Sequence, residues 1–491
     1  MNRALLRLSL ACLGMFVLLL VNVNYVQAFR TTSLADAKGN VRVFNQQFKY
    51  QRGSIKAGAN KTIAASHLIK GNSGVYQRYY PDPQVYAPIT GYAEPFGRTG
   101  LEEAENSMLS GTDPKLTVHN LVSLVTGHAR QGGTVYTTVK PGVQQAAYDA
   151  LKAEGRESGV VALDPKTGAI LAMASFPSFD PNKYVTLTGK KLERLDKALQ
   201  LAPGHPLLNH TTQLTYPPGS SFKVITSSAG LSTGKVASPQ STVPAPTQLK
   251  LGSKALINDG GEVCGDGHPQ LIFAFTLSCN TAFGLLGQKV TGPVLHDYAN
   301  KFGFNNPNLT IPLPVTPSIF PPVRDPAFTA YQAIGQFSDR VTPLQEAMIA
   351  ATVANGGTLM APYLVSEVQA PDLSPVYTAT PQVLANPISP TVASQLTQMM
   401  VSVTNNPAGT AYATANQNVA GVEIAGKTGT AQNGINNTNL DDAVFTCFAP
   451  ASNPVIAVGV IVKGGGFGAD AAAPIAVKVI QEYLRERGML P

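Results

Sequence analysis

The apolar positions fall into three regimes along the chain. Arg3 and Arg7 precede Leu8–Phe29, 22 residues without a charge. As a helix rising ~1.5 Å per residue, this segment spans ~33 Å, enough for a hydrocarbon core of ~30 Å. Positive charge on its N-terminal flank orients the span with the N-terminus inside and the remainder outside. A cleaved signal peptide, with an apolar core at Leu8–Val21 and cleavage after Val26-Gln27-Ala28, is the alternative. No later stretch reaches 18 apolar residues, so one span is the most the pattern supports.

Residues 30 to about 135 are polar, rich in Tyr, Gly and Asn, and weakly periodic, which reads as a small, mostly extended domain. After Gly132-Gly133 the pattern sharpens. Thr134–Val139 is strand-like, and Pro141 opens a helix over Gly142–Ala153. Val160–Leu163 and Ala169–Ser175 flank the turn segment Asp164-Pro165-Lys166-Thr167-Gly168 and form a hairpin. Residues 180–350 carry mainly helical patterns broken by Pro and Gly. Three further strands follow at Glu423–Ala431, Ala443–Ala449 and Val455–Val462. The last is continuously apolar, as for a strand buried on both faces. A closing helix runs from about Ala472 to Arg487, with Ala476, Val479, Ile480, Tyr483 and Leu484 on one stripe.

Strands at both ends of this long segment, with helices between them, predict one α/β (α+β) unit with a mainly antiparallel sheet assembled from distant segments. The organisation is a tip and anchor at 1–29, a pedestal at 30–135 and a large unit at 136–491. Composition narrows the picture. Charged residues make up 13% of the chain, about half the usual ~25%, which excludes an extended charged disordered protein. The net charge of +7 is spread thinly, with no basic run beyond Lys190-Lys191, so a nucleic-acid groove is not expected. Four cysteines are too few for a disulfide-dense scaffold, and Cys12 lies in the apolar run.

Candidate chemistry enters with Tyr216-Pro217-Pro218-Gly219-Ser220-Ser221-Phe222-Lys223. The sequence predicts an irregular approach and then an apolar helix from Ser220 to about Leu231. Ser220 sits at its start and Lys223 one turn on, on the same face. A desolvated lysine loses its proton more readily and can take the serine proton. S-x-x-K is weak alone, and Ser232-Thr233-Gly234-Lys235 is a second copy that reads as a helix end with Gly234 as cap. Ser278-Cys279-Asn280 is an S-x-N. In an extended or tightly turned segment, Ser278 and Asn280 point into one cleft and Cys279 points away. Lys427-Thr428-Gly429-Thr430 lies in a strand whose glycine admits a substrate backbone and whose lysine and hydroxyls suit a carboxylate. A second K-T-G, Lys166-Thr167-Gly168, reads as a turn.

The three motifs in this order resemble the penicillin-binding proteins, whose S-x-x-K, S-x-N and K-T-G set is shared with serine β-lactamases. Gly335-Gln336, Thr342-Pro343-Leu344-Gln345, Ala354-Asn355-Gly356-Gly357 and Ser175–Asn182 are also similar to that family. Arg52-Gly53-Ser54-Ile55 resembles the start of class B ectodomains, and the likeness to the actinobacterial penicillin-binding protein A type spans essentially the whole chain. The resemblance implies a transpeptidase fold with a five-stranded, mainly antiparallel sheet flanked by helices. It also implies a membrane-anchored peptidoglycan D,D-transpeptidase, with a catalytic domain outside the membrane and no cofactor or metal. Ser220 would be the acylated nucleophile and Lys223 its base. Ser278 would bridge the two lysines and relay a proton to the leaving group, and Lys427 would supply positive charge. Asn280, Thr428, Gly429 and Thr430 would hold substrate, and the backbone N–H groups of Ser220 and Thr430 would form an oxyanion hole. Donor and acceptor stem peptides, β-lactams, the cytoplasmic membrane and a SEDS-type (RodA/FtsW-like) glycan polymerase are the implied partners.

Some positions depart from the family pattern. Ala431-Gln432-Asn433 stands where relatives often carry an acid, the Ala443–Ala449 strand lacks a Trp, and Arg52-Gly53-Ser54-Ile55 is not followed by Asp-Arg-Asn-Gly. Cys264 and Cys279 are expected to pair, since an exported chain permits oxidation. Cys447 is a core residue. Cys264, His268 and Cys279 lack the ligand spacing of a zinc site. A D,D-carboxypeptidase, a serine β-lactamase and a non-catalytic cell-wall scaffold are the alternative readings. About 100 residues ahead of the large unit are too few for a glycosyltransferase.

Overall fold

The computed structural model describes residues 3–30, 34, 49–69, 75–94, 97–116, 131–186, 189–416, 419, 421–432 and 439–490. Most of 31–48 and 117–130 in the expected pedestal, and Asn433, lie outside them. The apolar N-terminal run forms helix α1, Arg3–Tyr25, which continues as a π-turn through Arg30. Leu5–Arg30 is long and apolar enough to cross a membrane, and none of it is buried against the rest of the chain.

Two sheets follow. The first has β1 (Ile55–Ala57), β2 (Lys61–Leu68), β3 (Tyr76–Tyr79) and β4 (Thr134–Thr137). It is completed by β7 (Val365–Gln369) and β8 (Pro375–Thr378), giving the order β8-β7-β4-β1-β2-β3. Only β1 and β4 pair in parallel. The expected boundary at 135/136 therefore falls inside β4, and this sheet borrows two strands from a hairpin more than 220 residues further on. Under it, Glu102 is fully buried and bound by two guanidinium groups, Arg52 Nε at 2.6 Å and Arg78 Nε at 2.5 Å. That ion network explains why Arg52 stands before the first strand.

The second sheet is β9-β10-β11-β5-β6, with every pairing antiparallel. Its strands are β5 (Ser158–Leu163), β6 (Ile170–Phe176), β9 (Ala425–Ala431), β10 (Asp442–Ala449) and β11 (Ile456–Val462). All seven residues of β11 are buried, as a continuously apolar strand requires. Helices α2 (Pro141–Glu154) and α7 (Ala472–Glu486) pack together on this sheet, and α5 (Pro343–Ala354) packs on β5, β10 and β11. Beyond α5 lie α3 (Lys223–Ser232), α4 (Asn280–Val290) and α6 (Pro390–Asn405). Gly459 on β11 lets α5 approach, since a Cβ there would stand 2.3 Å from the Ala347 nitrogen. One apolar core runs through both sheets and their helices.

One local expectation changes and another is narrowed. The predicted helix Ser220–Leu231 begins later, because Gly219–Phe222 is a 3₁₀ turn and α3 starts at Lys223. Pro217, Pro218 and a positive φ at Gly219 set that tighter geometry. For the Ser278 segment, expected as extended or tightly turned, the structure has the tight turn. Ser278 has φ 63° and Asn280 already opens α4. The two duplicate motifs are structural: Ser232 ends α3 before Gly234, and Lys166-Thr167-Gly168 forms the β5–β6 turn.

Candidate active site

The turn Gly219–Phe222 is clamped from three sides. Phe222, fully buried, stacks on Phe320 at 4.8 Å and meets Phe304 edge-on. The Gly219 N–H donates to Gly335 O at 2.9 Å. Gly335 has φ 73°, and a Cβ there would lie 2.1 Å from Gly219 O, so only glycine fits this contact. On the third side runs β9, the edge strand of its sheet. A Cβ on Gly429 would lie 2.6 Å from Pro218 O, which is why the K-T-G glycine is needed against the turn. Ser220 is thereby held at the surface of the core, 9% exposed. Its hydroxyl has no hydrogen-bond partner among the described residues.

Two lysines are fully buried beneath it. Lys223 Nζ donates to Ser278 O at 2.6 Å, to Ser278 Oγ at 3.1 Å and to Asn280 Oδ1 at 2.8 Å. Lys427 Nζ donates to Ser278 Oγ at 2.9 Å and to Thr428 O at 3.1 Å. Aromatic rings complete the cage, Phe283 at 5.5 Å from Lys223 Nζ and Phe275 at 5.4 Å from Lys427 Nζ. Neither lysine forms an ion pair with a carboxylate among the described residues, so burial dominates. It lowers Lys223 well below the usual lysine range, helped by the Lys427 charge, while Asp259 opposes the shift. Burial likewise brings Lys427 down to about 7. Three bonds occupy every proton of a charged Lys223. Only its neutral form leaves a lone pair to accept a proton from a neighbouring hydroxyl.

Ser278 sits between the two ammonium groups because its backbone is left-handed, a conformation costing a non-glycine residue ~1–3 kcal/mol. The constraint that holds it is on either side. Asn280 caps the contact with Lys223 and donates to Ile257 O at 3.1 Å and Asp259 Oδ1 at 3.2 Å. Cys279, buried, is disulfide-bonded to Cys264 with the Cα atoms 6.0 Å apart. Ser278 and Asn280 do converge while Cys279 turns away, through the left-handed turn and the helix start. On β9, Thr428 Oγ1 lies 2.6 Å from Thr410 Oγ1, and Thr430 is partly exposed beside Gly219.

Three participants escaped the sequence reading. Glu346, fully buried on α5, lies 2.7 Å from Ser221 Oγ through its Oε1. In sequence it looks like an ordinary acid in the first turn of a helix. Asp259 and Thr410 carry no local signal, since only the fold brings them to Asn280 and Thr428. Gly335 was noticed as a resemblance, and its role as the seat for Gly219 required coordinates.

Residues 158–481 match the family described as penicillin binding protein transpeptidase domain, and residues 52–135 match the penicillin binding protein A dimerisation domain. The chain is 41% identical to peptidoglycan D,D-transpeptidase PbpA of Mycolicibacterium smegmatis, over 99% of this chain and 100% of that one. It is 39% identical to PbpA of Mycobacterium tuberculosis, covering 99% of each. Among solved structures, penicillin-binding protein A from M. tuberculosis as its ceftriaxone acyl-enzyme superposes with TM-score 0.84 at 38% identity, over 89% of this chain and 99% of that chain. The penicillin G acyl-enzyme of the same protein gives 0.83 at 38% identity, over 89% and 100%.

Proposed function

The chain belongs to the penicillin-binding protein transpeptidase family, and from that premise we propose how its residues divide the work of peptidoglycan D,D-transpeptidation. It is a serine-type D,D-transpeptidase of cell-wall synthesis, acylated by β-lactams. The observation that carries the residue assignment is the convergence of two fully buried lysines, neither in an ion pair among the described residues, on the one hydroxyl of Ser278.

Ser220 Oγ attacks the carbonyl carbon of the penultimate D-Ala, and its proton passes to neutral Lys223 Nζ. The oxyanion that develops is met by the backbone N–H groups of Ser220 and Thr430. Removing one such donor in another serine enzyme costs about 2.7–4 kcal/mol. As the C–N bond breaks, the terminal D-Ala leaves as an amine, taking a proton delivered through Ser278 Oγ. Lys427, protonated, fixes that hydroxyl and attracts the terminal carboxylate, which Thr428 and Thr430 receive. An amine of a second stem then attacks the Ser220 ester, and the same relay runs in reverse. The exposed edge of β9 suits a substrate backbone laid beside Gly429 as an added strand. Asn280, whose amide nitrogen donates to Ile257 O and Asp259 and whose Oδ1 accepts from Lys223, meets the substrate through the remaining Oδ1 lone pair.

The domain division we propose is an anchor at 1–29, a pedestal at 30–135 completed by β7 and β8, and a transpeptidase unit at 136–491. The anchor places the catalytic unit outside the membrane, and the pedestal, next to the span in sequence, faces a SEDS-type glycan polymerase. The test is labelling by a fluorescent penicillin. Wild type takes a stable label and Ser220→Ala takes none. With a stem peptide and an amine acceptor, the wild type yields the cross-linked product. Loss of the label within seconds, or stem hydrolysis without cross-linking, contradicts the transpeptidase reading. An unlabelled wild type contradicts the serine assignment as well.

A further inference from the structure

The environment of Glu346 has no part in the chemistry above. Its side chain is fully buried and forms no ion pair among the described residues. Oε1 meets Ser221 Oγ at 2.7 Å, and Oε2 is buried without a partner. Ser221 Oγ also meets Pro218 O at 2.9 Å. A carbonyl can only accept, and a hydroxyl has one proton to give. Both contacts are hydrogen bonds at once only when Ser221 donates to Pro218 O and a protonated Glu346 donates to Ser221. An uncharged Glu346 also removes the cost of a buried, unpaired carboxylate.

Glu346 stands at a junction. Its backbone carbonyl accepts from Thr446 Oγ1 at 2.7 Å, and Thr446 is the register partner of Lys427 across β9–β10. One residue thus joins the nucleophile turn, through Ser221, to the strand pair bearing the second lysine. We propose that Glu346 in its uncharged form is a positioning residue for Ser220, locking the turn Gly219–Phe222 against the sheet, and that its ionisation unlocks the turn and slows acylation. This rests on Ser220 being the acylated nucleophile. When Glu346 loses its proton, it draws the Ser221 proton away from Pro218 O. That carbonyl then loses its bond, and the turn loses the side-chain hydrogen bond that ties Ser221 back to Pro218.

The surroundings do not supply a competing charge. On the strands and helices packed against α5, only Asp442 and Cys447 of β10 can titrate, and burial pushes the Cys447 thiol up. Around the turn itself stand Lys223, Lys427 and Tyr216, the last kept protonated by burial. Burial raises Glu346 to about 8, opposed only by the Ser221 bond. Acylation therefore falls as pH rises through that value, in addition to the fall as Lys427 loses its proton.

The experiment measures the second-order rate of labelling by a fluorescent penicillin from pH 6.5 to 9.5 for wild type, Glu346→Gln, Glu346→Ala and Ser221→Ala. Glutamine keeps a donor toward Ser221 and cannot ionise. One protonation step centred near 8 predicts that, normalised at pH 7, Glu346→Gln labels about tenfold faster than wild type at pH 9. Glu346→Ala labels about tenfold more slowly than Glu346→Gln at pH 7. If Glu346→Ala does not fold, Ser221→Ala shows the same loss. An alkaline fall as steep in Glu346→Gln as in wild type overturns the proposal, as does wild-type labelling by Glu346→Ala or, in its place, Ser221→Ala. A wild type that takes no label at any pH defeats the nucleophile assignment instead.

Discussion

Replacing Lys427 by methionine removes one buried charge from the lysine pair while keeping a side chain of similar length. Both ammonium nitrogens lie within 3.1 Å of the Ser278 hydroxyl oxygen, so they stand no more than about 6 Å apart. At an effective dielectric of about 20, two like charges at that distance repel by about 2.8 kcal/mol, which corresponds to about two pH units. The Lys427 charge is the second cause of the low Lys223 value, after burial. Lys427→Met therefore raises Lys223 by about two pH units but leaves it below the ordinary lysine range, because burial persists. A base acts when neutral, so its activity appears as pH rises through its pKa. The acid limb of the acylation rate moves to higher pH by about two units, and the rate on that limb falls about a hundredfold. Ser278 Oγ also loses a charged donor, a bond worth about 1.5–3 kcal/mol. In wild type, Lys427 loses its proton near 7, so part of the activity is lost above that pH. The variant lacks this fall and keeps the one assigned to Glu346. The assay is the second-order acylation rate with a fluorescent penicillin from pH 5 to 10. A uniform drop with an unmoved acid limb would refute the coupling and leave Lys427 with carboxylate binding alone.

Three further outcomes follow from the structure. Denatured protein titrated without reductant exposes two thiols, Cys12 and Cys447, and four after reduction; four before reduction contradicts the Cys264–Cys279 bridge. Replacing both bridged cysteines by serine lowers stability by about 3 kcal/mol for a loop of this length, read by thermal denaturation. Glu102→Gln breaks the network with Arg52 and Arg78 and costs about 3–5 kcal/mol at pH 7. Arg78 and Arg52 hold the Glu102 carboxyl below its usual value against burial. Its contribution is therefore present above the unfolded carboxylate range and lost as pH falls through the lower folded value. The gap between wild type and variant narrows in acid; an equal gap at pH 7 and pH 3 argues against the network.

Much of the catalytic sheet was legible because its strands are local patterns. Val455–Val462 could be read as a doubly buried strand from an apolar run interrupted only by Gly459, and β11 is Ile456–Val462. The β5–β6 hairpin was legible because its turn chemistry lies between its strands. The three motifs gave Ser220, Lys223, Ser278, Asn280 and Lys427; the fold brings both lysines to the Ser278 hydroxyl and Asn280 to Lys223, and Ser220 lies in the turn that runs into the Lys223 helix. The same local logic failed at the N-terminal sheet. β7 and β8 are short, and β7 pairs with β4 across more than 220 residues; no local period records such a partner.

The sequence by itself determined what a short stretch of chain can carry: one apolar span, the alternation of helices and strands, and a nucleophile with a lysine one turn away. Tertiary structure alone decided the protonation states, because a pKa depends on burial and on charges that arrive from elsewhere in the chain. Lys223 and Lys427 are 204 residues apart in sequence and share one hydrogen-bond partner. Glu346 reads as a surface acid of a first helical turn until α5 is packed under the nucleophile. Its chemistry then changes from a charge to a proton donor, because the fold gives it neither water nor a cation.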